Sequence, residues 1–469
     1  MVESTEHGQS IKKKLLFLTV AIVISAILTI IVYPGVFYSD SYGRWSLALA
    51  LLKGNRAHLD NWLSFPPQLF MAICYIITGE FSSFTFLSAV MFFFVSFLAI
   101  DSFCTKYSIV TCICYALCPV FFGFSIYVEM SVGCVTALLS LLLLILKYDY
   151  SLLLGKRGKI VLHFMLCFFL YFCLVGFRQN AFTVLPVLVI TVMVLSRKIK
   201  SHWPITIHCT AMILSLLLIA LIPKVLDFGY QYGKGSKYIG LVWEMVCMIK
   251  EMPDKYEYMS MLDYLGKEEG ATLLSVNAVN YDSINSITSY IAAHKAGDDQ
   301  NGQRIINNYL MLMKDEPKTF FMVKGRFISR AMGISKPLAN VEYDYNRHDR
   351  MEEFGYKDTS IRRAFFDTYN RFMDDFSILR RPWVIFSLVI IIVLLTKRIL
   401  STTEYHNLLT LYFSVVFFYL SFLITTQSQE FRYFFVPLVL LYICFFACLG
   451  RIAEKIISNY RAKSSTKVV

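Results

Sequence analysis

An all-α bundle that crosses a membrane about ten times is the fold class this sequence predicts, and three observations predict it. Of its 469 residues, 57% are hydrophobic and 16% aromatic. Only 17% are charged, against roughly 25% in soluble domains. The apolar residues come in uninterrupted runs, and a run of about 20 spans the ~30 Å of bilayer hydrocarbon at 1.5 Å per residue. A mean hydropathy of +0.56 exceeds what a soluble interior can hide, and the same composition excludes disorder, coiled coil and a disulfide scaffold.

The first run, Leu15 to Tyr33, follows Lys12, Lys13 and Lys14. Its length, with no small-x-small cleavage site after it, predicts a retained span and a cytoplasmic N-terminus. Nine further runs lie between residues 84 and 449, one of them continuous over 108–127. Between them sit short basic clusters: Lys147 with Lys156, Arg157 and Lys159; Arg197 with Lys198 and Lys200; Lys397 with Arg398; and the tail from Arg451 to Lys467. Placing every cluster inside puts both termini in the cytoplasm and collects the whole excess charge of +12 there, as the positive-inside rule requires. The charge is therefore a topology signal and does not point to nucleic acid. The lipid bilayer is the partner it implies.

Pro66 to Gly79 is apolar but too short to span, so it reads as a re-entrant or interfacial helix on the outer side, with an eleventh span as the alternative. Residues 1–222 form an N-terminal module assigned eight spans, including a first outer loop at 34–66. Residues 223–382, with 22 residues of each charge sign, form a mainly helical extracytoplasmic insertion. Its amphipathic stretches run from Ile239 to Ile249 and Ile305 to Met313. Residues 383–469 add two assigned spans and a basic cytoplasmic tail. Eleven of the twelve cysteines lie in or beside apolar runs and read as packing residues. No metal-ligand spacing is read from them.

Ionisable residues at the membrane are costly, which makes the outer set informative. Asp40 follows the first span among aromatics, where Asp40 or Ser41 would cap a helix beginning near Tyr42. Asp60, Trp62 and Pro66-Pro67-Gln68-Leu69 close the loop. Glu129 lies between two spans, and Arg178-Gln179-Asn180 interrupts an apolar hairpin. The last outer loop carries Glu430, Arg432 and Tyr433 ahead of Pro437.

Pro34-Gly35, Asp40-Ser41, Asp60-x-Trp62 and the Pro-Pro-x-Leu helix start together resemble the first outer loop of GT-C-fold glycosyltransferases. The closest look is to bacterial polytopic glucosyltransferase-like proteins that decorate O-antigen or other surface glycans. Many of these have a His before the Pro-Pro, where this chain has Phe65. Arg178-x-Asn180, Arg432-Tyr433-x-x-x-Pro437 and Pro317-x-x-Phe320 resemble further elements of the same group.

The resemblance implies a GT-C-like bundle in a bacterial inner membrane and transfer of a hexose, glucose by resemblance, from a polyprenyl-phosphate-linked sugar to a surface polysaccharide acceptor. It implies Asp40 as catalytic base with Glu129 as second acid, and Arg178, Arg432 and Arg44 as donor-phosphate ligands. Asp60, Gln179, Asn180, Glu430 and Tyr433 would line the substrate. Displacing phosphate from a sugar C1 needs a base for the acceptor hydroxyl and positive forks for the leaving phosphate. A divalent cation held by Asp40 and Glu129 is compatible with this reading, although no separate ligand cluster demands one. The rival readings are an O-antigen polymerase or ligase, and a lipid-linked glycan flippase or transporter.

Overall fold

A computed structural model of the chain describes residues 2–36, 39–54, 65–80, 82–103, 107–126, 130–150, 157–225, 238–252, 257–258, 260–262, 281, 299–339, 356–425 and 431–465. Every regular element among these residues is a helix, with no β-strand among them. The helices are α1 (Val2–Ile31), α2 (Ser39–Leu52), α3 (Phe65–Thr78), α4 (Ser82–Phe103), α5 (Ser108–Ala116), α6 (Pro119–Ser125), α7 (Met130–Lys147), α8 (Arg157–Phe177), α9 (Leu185–Lys198) and α10 (Trp203–Val225). After them come α11 (Ile239–Glu251), α12 (Asp299–Asp315), α13 (Pro317–Ala331), α14 (Ser360–Asp375), α15 (Pro382–Thr396), α16 (Thr402–Thr425) and α17 (Phe431–Ser465). A 3₁₀ turn at Gln179–Val184 joins α8 to α9. The chain is a multi-pass membrane protein: seven of the helices are long and apolar enough to cross a bilayer.

Contacts at the helix ends give each crossing its direction. At one end Lys13 pairs with Asp101, and Lys147 donates to the Ser102 carbonyl at 2.7 Å. Arg451 donates to the Phe103 carbonyl at 3.0 Å and pairs with Glu404 and Glu454. This basic end therefore gathers the start of α1, the ends of α4 and α7, the start of α16 and the later part of α17. At the opposite end the Val36 N–H donates to the Ile126 carbonyl at 3.1 Å, and the Trp383 N–H to the Met332 carbonyl at 3.1 Å. Among the described residues, seven apolar helices of spanning length and the shorter α7 and α15 make up the bundle between these ends.

The 15-residue helix α15, over the apolar run at 383–396, opens the C-terminal group of apolar helices. Its far end, Thr396, meets Cys448 at 3.5 Å in the basic half of the bundle. The run at 108–127 is not one helix, since α5 stops at Ala116 and α6 restarts at Pro119. Proline lacks the N–H that would continue the ladder, and its ring clashes with the preceding turn. The helix expected from Tyr42 begins at Ser39, so Asp40 lies inside its first turn and is not the cap. A carboxylate is favoured there by the helix dipole.

Helix α3 falls on the stretch Pro66 to Gly79, expected to be a re-entrant or interfacial helix or an eleventh span. Its start packs Pro66 against Gly176 at the far end of α8. Just past its end, Glu80 accepts a hydrogen bond from Tyr33 at 2.7 Å, beyond the far end of α1. Both ends of α3 thus reach the far face, the geometry of a helix lying along that face.

Helices α11, α12 and α13 build a second hydrophobic core, centred on Trp243, Met245, Ile305, Leu312 and Phe327. Trp243 and Phe327 meet edge to face at 4.7 Å. Glu244 is buried in this core, accepting from Tyr309 at 2.7 Å and pairing with Lys324. Burial and the neighbouring carboxylate both raise the Tyr309 pKa. Truncating one partner of a buried ion pair leaves the other uncompensated, at a cost on the order of 3 kcal/mol. Glu244→Ala should therefore lower amide-exchange protection in α11 and α13 about 10²-fold, with Glu244→Gln intermediate. Unchanged exchange in both helices would show that the pair holds nothing together.

Candidate functional site

Two glycines let the far ends of α3, α7 and α8 close on one another. A Cβ on Gly176 would lie 2.5 Å from Pro66, and one on Gly133 would lie 2.3 Å from the Phe177 ring. No larger residue fits either position without displacement. Phe177 also stacks on Phe70 of α3, with ring centroids 5.7 Å apart. Directly beyond it the chain leaves the helix: Arg178 is extended (φ −137°, ψ 110°) before the 3₁₀ turn begins.

That break turns Arg178 into the bundle. It is 8% exposed, and its Nη2 donates to the Ser131 hydroxyl at 2.6 Å. Its guanidinium carbon lies 5.2 Å from the centre of the Tyr433 ring. A desolvated cation over an aromatic face gains up to ~2 kcal/mol, which offsets part of the cost of burying the charge. Tyr433 is steadied in turn by Phe422, centroid to centroid 5.4 Å. Arg178 therefore joins the end of α8 to the starts of α7 and α17.

The predicted residues divide into three groups. Arg178 and Tyr433 are brought together as described. Gln179 is exposed and Asn180 half-buried on the adjoining 3₁₀ turn. Arg44 is 2% exposed on α2, beside Trp45, which packs edge-on against Tyr75 of α3 at 5.3 Å. Asp40 and Arg432 lie in the first turns of α2 and α17, and their side chains fall outside the described residues. Asp60, Glu129 and Glu430 also fall outside them.

One residue at this end was missed in the sequence. Arg362 of α14 is 4% exposed. Its guanidinium donates to the carbonyls of Val32 at 2.6 Å, Tyr33 at 3.0 Å and Gly35 at 3.0 Å. Tyr356 lies 4.5 Å from the cation and Phe366 5.4 Å. Arg362 thereby pins the Tyr33-Pro34-Gly35 turn that leads into α2, and the Val36–Ile126 bond ties that turn to the end of α6. The signal was present: the buried positions of α14 are Arg362, Phe366, Tyr369 and Met373, a helical stripe whose first member is a cation.

Two more arginines fasten the same region. Arg380 donates to the Leu338 carbonyl at 2.9 Å, and Arg381 to the Gly333 carbonyl at 2.7 Å. Gly333 needs to be glycine on two counts, with φ at +67° and a Cβ position 2.9 Å from the Arg381 backbone.

No protein-family model matches the chain, and no curated protein matches it. Among solved structures it is similar to the crystal structure of ArnT from Cupriavidus metallidurans bound to undecaprenyl phosphate, at 13% identity and a TM-score of 0.34. The similarity covers 94% of this chain and 78% of that one.

Gly133→Ala should push the Phe177 ring, and Arg178 with it, out of place at a cost of about 1–3 kcal/mol, the range for overpacking a filled core. Phe177→Leu should recover most of the loss in the double variant. A double-mutant cycle on thermal stability checks this, because independent sites would give additive losses.

Proposed function

We propose that this chain is a GT-C-like membrane glycosyltransferase. It moves a hexose, glucose by resemblance, from a polyprenyl-phosphate carrier to a cell-surface polysaccharide such as O-antigen. The observation that carries the reading is the convergence at the far end. Arg178, Ser131 and Tyr433 meet across three helix termini, and the turn ahead of α2 is bonded to the end of α6. Three parts of the sequence thus meet at one buried guanidinium, and the Val36–Ile126 bond joins two more. Asp40 is four residues beyond Val36, Arg432 adjoins Tyr433, and Glu129 belongs to the short stretch between Ile126 and Ser131.

The charge layout supports a sidedness. Since the basic end is cytoplasmic by the positive-inside rule, the Arg178 end and the 223–382 segment are extracytoplasmic. That is where a lipid-linked sugar meets a surface glycan.

In the reaction the C1–O bond to the carrier phosphate breaks as the acceptor oxygen bonds to C1, through an oxocarbenium-like state. Asp40 takes the acceptor proton and Glu129 orients the acceptor. Arg178 and Arg432 hold the phosphate oxygens as negative charge develops on them, a role to which the planar guanidinium fork is suited. Arg44 supports the same phosphate from α2. Asp60, Gln179, Asn180, Glu430 and Tyr433 line the sugar and acceptor.

Asp40→Asn and Arg178→Lys should each cut transfer by about 10²–10³-fold, as expected for groups acting in the transition state. Mass analysis of the surface polysaccharide should show one hexose per repeat lost on deletion of the gene or in either variant. A change in chain length alone would identify a polymerase, and an unchanged polysaccharide would leave transport. A reporter active only outside the cytoplasm, fused near Asn301, should be active, and its silence would invert the topology.

A further inference from the structure

The opposite end of the bundle holds a buried cluster that the proposed reaction does not use. His163 and Cys167 lie one turn apart on α8, and His208 faces them from α10. All three are buried, and each offers one ligand atom, with these atoms within 4.8 Å of one another. The cluster is about half a membrane thickness away from the site above: Cys167 precedes Arg178 by eleven residues, about 16 Å of helix.

His208 is oriented as a ligand would be. Its Nδ1 lies 3.3 Å from the Tyr171 hydroxyl, and its Nε2 lies 2.8 Å from the Tyr150 hydroxyl and 3.9 Å from the Cys167 sulfur. With the Nδ1 proton given to Tyr171, the Nε2 lone pair points at the cluster; such a partner on the other ring nitrogen fixes a metal-binding tautomer. The Tyr150 hydroxyl also reaches the Leu144 carbonyl at 3.3 Å, so its proton keeps an acceptor if an ion takes Nε2. His163 is 4% exposed, and its Nε2 is buried without a hydrogen-bond partner. A buried polar nitrogen left unmet costs about 1–3 kcal/mol, and a metal ion would meet it.

From the geometry we infer that His163, Cys167 and His208 form a binding site for a soft monovalent d¹⁰ metal ion, Cu⁺. The set is two imidazoles and one thiol, ligands that favour soft ions. Charge selects among them. Cu⁺ with one thiolate and two neutral imidazoles is electrically neutral, with the thiol proton released to water as the Cu–S bond forms. Zn²⁺ with the same ligands leaves a net positive charge among lipid-facing helices, where charge is costly, and zinc ordinarily requires a fourth ligand. Ligand distances of about 2.0–2.3 Å place ligand atoms roughly 3.3–3.8 Å apart, so the site closes by about an ångström from the separations of up to 4.8 Å seen here. The bound ion would staple α8 to α10 in the basic half of the bundle.

The test is metal binding by the purified full-length protein in detergent, with Cu⁺ supplied already reduced in competition with a Cu⁺ chelator. One copper per chain should be retained, X-ray absorption should show one sulfur and two imidazole nitrogens, and the melting temperature should rise. Cys167→Ser and His163→Ala should each abolish retention, while Tyr150→Phe should preserve it. If either variant fails to fold, protection of Cys167 from alkylation in the copper-loaded wild type, read by peptide mass spectrometry, serves instead. No copper retained, retention undiminished in Cys167→Ser, a spectrum without sulfur, preference for zinc, or Cys167 alkylated at an unchanged rate would each overturn the assignment, leaving the cluster a hydrogen-bonded core network.

Discussion

A guanidinium buried at the end of a transmembrane helix is the constraint on which the rest of this architecture turns. Arg178 can occupy that place only because the chain breaks from helix to extended form immediately after Phe177. The break delivers the cation to the Ser131 hydroxyl and the Tyr433 ring. Burying such a charge costs several kcal/mol before its partners are counted. The starts of α7 and α17 must therefore arrive with ångström accuracy. Gly133 and Gly176 permit this by letting Phe177 and Pro66 approach closer than any Cβ would allow. The hydrophobic bundle supplies cohesion, and this polar junction sets which helix ends must meet.

Arginine plays a second role nearby. Arg362, Arg380 and Arg381 all spend donors on backbone carbonyls of non-helical segments. Turns near a bilayer face have carbonyls that neither helix nor lipid can satisfy. A fork with five donors meets several at once, where lysine would meet fewer and with less defined geometry. The 332–338 turn and the turn ahead of α2 are fixed in this way, which makes the path leading to Asp40 a property of α14 as much as of α1.

Much of the fold was legible because hydropathy and charge report on the membrane directly. The run behind Lys12 to Lys14, the basic end marked by Lys13, Lys147 and Arg451, and the helical reading of Ile239 to Ile249 all reappear in the structure. What failed to show was local. Pro119 lies inside an apolar run whose composition still reads as a single span, and only its missing N–H reveals two helices. At the site, Arg178 stood out as a cation between apolar runs. Arg362 did not, because α14 carries several charges and only helical phase separates the buried one from the rest. The His163–Cys167–His208 grouping escaped for a different reason: two of its members are one turn apart, but the third is 41 residues further on, and only folding joins them.

The placement of α3 bears on how a lipid-linked donor would reach Arg178. The tail of such a donor stays in the bilayer while its phosphate needs the guanidinium, so it must approach sideways across the rim of the bundle. Helix α3 forms part of that rim. Its Pro66 end abuts Gly176, two residues before Arg178, while Ile76 and Ile77 near its other end are 68% and 76% exposed. On the proposed reading, an apolar helix with bare isoleucines beside a buried cation would offer hydrocarbon contact and phosphate contact within one helix length. A crossing helix would have extended away from the far face and separated the two. The residues that keep α3 on that face, Tyr33 with Glu80 at one end and Pro66 with Gly176 at the other, thus determine whether lipid and charge can be met by the same molecule.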